Sequence, residues 1–279
     1  MNEMELKKFA AQIRIDLIKM LKHRRYGHIG GALSIVETLA VLYGDEMKYD
    51  PKNPNWEDRD YFVLSKGHAG PGLYSTLANV GFFDKDWLYT LNEGGTRLPS
   101  HPDRTKTPGV DVTTGSLGQG CSVACGLAQA LKMQGKDQFV YLIAGDGECN
   151  EGQCWEAFTY IGAKNLNNCI VFIDDNKKQL DGYTKDILNP FSFEDKMRAF
   201  GFYAETVKGN DVMAIKNAID AAKERKDKAT CIVLDTTKGQ GVKYFEELFG
   251  NHSVNFNAEM DEVADKAIAE LEAFIAQEA

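Results

Sequence analysis

The sequence predicts an α/β fold: a doubly wound, mostly parallel sheet with helices on both faces. Three observations carry this. The short apolar runs FVYLIA (139–144), CIVFID (169–174) and CIVLD (231–235) are continuous rather than alternating, as in strands covered on both sides. Segments of helical length and spacing separate them. The unusual sequences SKGHAG, GDGECNEG and DDNKKQLDG all follow strand ends, where open α/β sheets bind ligands.

Leu6, Phe9, Ala10, Ile13, Leu17 and Leu21 recur at helical spacing and predict a helix over 4–23. Ser34 with Glu37 reads as a capping box that opens a helix to about Tyr43. DYFVLS (60–65) predicts a strand, 72–80 and 84–92 predict helices, and 93–120 is mostly loop. A glycine turn leads into a helix over 118–134, followed by the 139–144 strand. Then come helix 151–164, strand 169–174, helix 192–200, a strand near 203–207, helix 211–226 and strand 231–235. An Ala- and Glu-rich helix starts at Glu259.

The 279 residues suffice for one large α/β domain, and no Pro-, Gly- or Ser-rich linker divides them. A formal net charge of −9 argues against nucleic acid and anionic lipid as partners. Charges interrupt the first 25 residues, and no apolar run reaches membrane-spanning length, so a cytoplasmic, non-membrane protein is expected. The six cysteines form no C-x-x-C pair, and the histidines lack zinc-finger spacing. Cys121, Cys125, Cys169 and Cys231 sit in apolar surroundings as buried thiols; Cys149 stands apart by lying in the acidic turn, but reads first as a small filler residue.

The acidic turn asks for a cation. Asp146 ends one strand and Asn176 ends another, one β-α-β unit later. Adjacent parallel strands would bring a carboxylate and an amide oxygen together, a hard-oxygen set for Mg²⁺ or Ca²⁺ with positions left for phosphate oxygens. Gly145 and Gly147 let backbone N–H groups approach the same anion. Gly-Asp-Gly alone is a common turn; the paired Asp-Asp-Asn end makes it a site.

His23 reads as solvated. The other histidines fall in glycine or proline contexts: GHIGG (27–31), KGHAG (66–70), PSHPD (99–103) and GNHS (250–253). Imidazoles suit proton transfer and hydrogen bonds to sugar hydroxyls. VTTGSLGQGCSVACGLAQA (112–130) has the small residues of a ligand loop but lacks the P-loop pattern.

In order and across nearly the whole chain, these segments resemble the amino-terminal half of transketolase. GHIGG resembles Gly-His-Pro-Gly, LSKGHAG resembles Ser-x-Gly-His-Ala, LPSHPD resembles Pro-Gly-His-Pro-Glu, and TTGSLGQG resembles Thr-Thr-Gly-Pro-Leu-Gly-Gln-Gly. GDGECNEG and DDNKKQLDG resemble the metal and diphosphate segments. The resemblance implies thiamine diphosphate held through Mg²⁺ or Ca²⁺, with Asp146, Asn176 and the Lys178 carbonyl as ligands. It implies that Gly147 and His68 face the diphosphate. Leu117 and the backbone at Gly115 would contact the aminopyrimidine or thiazolium region, with Gly145 and Glu148 in the same cofactor-binding set. His28 and His101 would hydrogen-bond substrate hydroxyls and move protons, and Glu151 would reach across a subunit interface toward the cofactor-activating glutamate.

Ile29 and Ser116 stand where the family has proline. Two registers fit the family's late catalytic histidine: one puts His252 there, the other Asn255, and His252 is the one taken. The resemblance also implies one diphosphate-type domain over 1–279, with pyrimidine and carboxyl-terminal domains on a partner chain and a two-fold heterotetramer. The expected reaction is transfer of a two-carbon ketol unit between sugar phosphates. Alternatives are a pair specialised for a branched sugar such as apulose 4-phosphate, the α subunit of a 2-oxo acid dehydrogenase, and a non-catalytic cofactor-holding subunit.

Overall fold

The structure is a computed structural model and describes residues 1–277. In chain order the elements are α1 (Glu3–Arg24), β1 (Tyr26–Gly27), α2 (Gly30–Leu33), α3 (Val36–Val41), β2 (Tyr61–Leu64), α4 (Gly70–Asn79) and α5 (Gln119–Met133). They continue as β3 (Val140–Gly145), α6 (Gly152–Ala163), β4 (Cys169–Asp175), α7 (Thr184–Ile187), α8 (Phe193–Ala199), β5 (Tyr203–Lys208) and α9 (Val212–Glu224). The last four are β6 (Thr230–Asp235), α10 (Lys243–Glu247), β7 (Val254–Asn255) and α11 (Ala258–Ile275).

Five strands form one parallel sheet in the order β2-β3-β4-β6-β5. The period of two along each strand feeds two cores. Tyr141, Ile143, Ile170, Phe172, Ile232 and Leu234 pack into the one containing α1, α3, α4, α9 and α11. Val140, Leu142, Ala144, Val171, Ile173 and Val233 pack against α5, α6 and α8. Burial on both faces explains the unbroken apolar runs.

A separate two-stranded antiparallel pair joins β1 to β7, with Tyr26 opposite Asn255 and Gly27 opposite Val254. It ties the segment carrying His28 to the segment carrying His252. Asn255 therefore stands in this ladder, with an exposed side chain.

Two local expectations fail. Ser34 is no helix cap: it follows α2, and its hydroxyl donates to Gly31 O at 3.2 Å and to Asp174 Oδ2 at 2.7 Å. Glu37 does not reach back to Ser34; it accepts from Arg14 Nη2 at 2.8 Å. The predicted helix 84–92 is a 3₁₀ segment, Lys85–Thr90. Cys149 is as buried as the other five free thiols, and its thiol is raised in pKa, so its place in the acidic turn confers no thiolate character.

Candidate active site

The carboxyl ends of β2, β3, β4 and β6 open onto a cavity of about 370 Å³. Its lining includes every residue named above for cation, cofactor or catalysis: Asp146, Asn176, Lys178, His68, Gly115, Leu117, Gly145, Gly147, Glu148, His28, His101, His252 and Glu151. The register pairs Gly145 of β3 with Asp174 of β4, which sets the two strand ends side by side.

Asp146 is 3% exposed. Its Oδ1 accepts from Gly147 N and its Oδ2 from Lys177 N, both at 2.7 Å. Lys177 turns its N–H inward from the left-handed region, at φ 71°. Asn176 donates through Nδ2 to Asp174 Oδ2 at 2.8 Å and accepts at Oδ1 from Lys178 N at 3.2 Å. The Lys178 carbonyl accepts from Lys238 Nζ at 3.1 Å.

These groups fit a hard cation. The donors are a carboxylate, an amide oxygen and a backbone carbonyl. Burial, then the neighbouring Asp174 charge, pushes the Asp146 carboxyl up to about 7. A divalent ion beside that carboxylate would reverse both effects.

In the same cavity the four loop histidines converge. The His28 ring centroid lies 5.8 Å from that of His68, 5.6 Å from His101 and 5.2 Å from His252; His68 and His252 are 4.7 Å apart. Burial is the first cause that lowers all four; with neighbouring charges, Lys238 among them, it takes His28 to about 4 and His252 to about 3. Burial thus favours the neutral form of each ring, which offers one N–H donor and one acceptor nitrogen. Lys238 Nζ lies 3.1 Å from His252 Nδ1. An ammonium donor there assigns the ring proton to Nε2. His252 thus stands among the other rings, and Asn255 does not.

Gly115 has φ 144°, and a Cβ there would lie 3.1 Å from the His101 ring, so the loop lies directly against that imidazole. Leu117 is exposed at the pocket edge, and Glu151 stands just before α6 with no side-chain bond to that helix start. Glu148 lines the cavity with its carboxylate already engaged by the protein. Its carboxylate accepts from Ser65 Oγ at 2.6 Å, Gly118 N at 2.9 Å and Gly145 N at 3.0 Å. It ties together the segments that carry Ser65, Gly118 and Gly145.

Sequence reading singled out neither Lys66 nor Lys238, and it took Asp174 only as part of the Asp-Asp-Asn strand end. Lys66 and Asp174 form a buried ion pair under the cavity. Burial raises the Asp174 carboxyl, but the Lys66 charge and the surrounding donors outweigh it, and the net direction is down. Burial, then Lys66, lowers Lys238 to about 8. Both lysines sit in glycine-rich segments after strands, KGHAG and KGQG, which was the available signal.

A family model described as "Transketolase, thiamine diphosphate binding domain" matches residues 6–269. The chain belongs to the transketolase family. Among relatives, it is 45% identical over 272 residues to the 6-deoxy-6-sulfo-D-fructose transketolase subunit of Clostridium sp. (strain MSTE9), covering 97% of this chain and 98% of that one. It is 39% identical over 243 residues to an apulose-4-phosphate transketolase subunit of Actinobacillus succinogenes, covering 87% and 88%. The solved transketolase of Campylobacter jejuni superposes with TM-score 0.87 at 30% identity, over 96% of this chain and 43% of that one. That of Leishmania mexicana gives 0.83 at 31% identity, over 96% and 46%. The chain thus spans less than half the length of these solved transketolases and nearly all of the two subunits. The α/β fold predicted from the strand runs is the fold of the transketolase diphosphate domain.

Proposed function

We propose that this chain is the diphosphate-binding subunit of a two-chain transketolase moving a two-carbon ketol unit from a ketose phosphate to an aldose phosphate. One observation carries the reading: hard-oxygen donors and four converging histidine rings line a single cavity at the sheet's carboxyl edge. Asp146, Asn176 and the Lys178 carbonyl hold Mg²⁺ or Ca²⁺, and Gly147, His68 and Lys238 face the diphosphate. Bound thiamine diphosphate supplies the carbon nucleophile and electron sink for C–C cleavage. His28 and His101 accept and return protons at the sugar hydroxyls. His252 donates through Nε2–H, and Leu117 and the Gly115 backbone would contact the aminopyrimidine or thiazolium region of the cofactor. Glu151, at the rim, meets the partner subunit, which carries the cofactor-activating acid. Two such pairs form a two-fold heterotetramer in the cytoplasm. Among the described residues no helix is long and apolar enough to cross a membrane.

The test is co-purification with the product of the adjacent reading frame, followed by ketol-transfer assays with thiamine diphosphate and Mg²⁺. The sugar panel includes those in the relatives' names, 6-deoxy-6-sulfo-D-fructose and apulose 4-phosphate. Transfer by the pair, with little by the chain alone, supports the reading. Transfer by the chain alone, or pyruvate consumption with dye reduction, contradicts it.

A further inference from the structure

Asn176 has a problem that its own side chain cannot solve. An amide presents an oxygen or an NH₂ with nearly the same shape, and a half-turn exchanges them. A cation site works only with the oxygen outward. The surroundings of Asp174 supply the answer.

Asp174 is 0% exposed and collects donors from four parts of the chain. Its Oδ2 accepts from Ser34 Oγ at 2.7 Å, from Asn176 Nδ2 at 2.8 Å and from the Lys66 ammonium; its Oδ1 accepts from the Thr236 hydroxyl. An ionised carboxylate only accepts. A flipped Asn176 would point its oxygen at that carboxylate and its NH₂ at the Lys178 N–H, which now donates to Oδ1 at 3.2 Å. Both contacts would be repulsive. Ser34 and Thr236 are spent on this carboxylate rather than on a helix cap or on solvent.

We infer that Asp174 is a positioning residue that holds the Asn176 amide with its oxygen toward the cation and its NH₂ inward. The inference rests on the proposed cofactor and cation site. It implies that the carboxylate acts through Asn176 without touching cation or substrate.

The test counts free Mn²⁺ by electron paramagnetic resonance as Mn²⁺ is titrated into the full chain with excess thiamine diphosphate. Asp174→Asn offers a donor as well as an acceptor, so either amide orientation becomes possible. It should weaken Mn²⁺ binding at least tenfold. Ser34→Ala and Thr236→Val, which leave the charges alone, should each weaken it two- to fivefold, and they decide the matter if Asp174→Asn does not fold. Adding Asn176→Asp to Asp174→Asn places an oxygen outward in either orientation and should restore binding to within threefold of the parent. A purely structural role would lower thermal stability without that rescue. Parent-like Mn²⁺ binding by Asp174→Asn, or by both hydroxyl variants, overturns the inference, as does a double variant no better than the single one. A parent chain that binds no Mn²⁺ with the cofactor overturns the cation reading itself and this inference with it.

Discussion

Two predictions belong to single residues. His252 sits among the other imidazoles with Nδ1 fixed by Lys238, whereas Asn255 stands exposed in a ladder with Tyr26. In steady-state transfer kinetics, His252→Asn should lower kcat/KM by about 10²–10³, within the range of a lost proton-transfer group. Asn255→Ala should change it by less than about twofold, because that side chain reaches no part of the cavity. The second prediction concerns protons. The Asp146 carboxyl is raised to about 7 in the cation-free fold, so the folded chain holds a proton that the unfolded chain has already lost. Its contribution to stability is present below the ordinary carboxyl pKa and disappears as pH rises through about 7. Cation binding must expel that proton, releasing about one near pH 6 and almost none above about pH 8. Calorimetric titration in two buffers of different ionisation enthalpy measures the difference; equal release at both pH values would contradict the burial argument. Strand-end position and spacing predicted that Asp146 and Asn176 lie together, and both line one cavity. The lysines escaped because KGHAG was read for His68 and not for Lys66, and because KGQG after β6 was not read as a strand-end loop.

At the scale of elements, α5 must lie hard against the end of β2 for its preceding loop to reach the cavity. A Cβ on Gly120 would fall 2.6 Å from Ser65 Oγ and 2.7 Å from Ser65 Cα. Gly120→Ala should therefore destabilise the chain by about 1–3 kcal/mol, despite alanine's higher helix propensity. Gly126, in the same helix, has nothing within 4 Å. Gly126→Ala should stabilise the isolated chain by about 0.5–1 kcal/mol. Urea unfolding of both variants checks the pair, and equal effects would mean that α5 does not rest on β2. The strands were legible because burial on both faces leaves a continuous apolar signature, as in the fully buried run Val140–Gly145. Ser34 was misread because a capping pattern records only spacing. The hydroxyl's partner, Asp174, lies 140 residues away, where no local rule reaches it.

At the scale of the whole molecule, one topological fact gathers the site. Parallel strands β2, β3, β4 and β6 all deliver their carboxyl ends to one edge, and the β1–β7 pair adds His28 and His252 from opposite ends of the sequence. The alternation of strands and helices made that edge predictable. The β1–β7 pairing was not predictable, since two-residue strands leave no periodicity. The central claim is that a divalent ion at this edge links the protein to a diphosphate. It is tested most directly by a crystal of the chain grown with thiamine diphosphate and Mn²⁺, with anomalous data collected at the manganese edge. The account predicts a single strong peak within bonding distance of Asp146, Asn176 Oδ1 and the Lys178 carbonyl. A bound cofactor with its metal peak away from both Asp146 and Asn176 would contradict it.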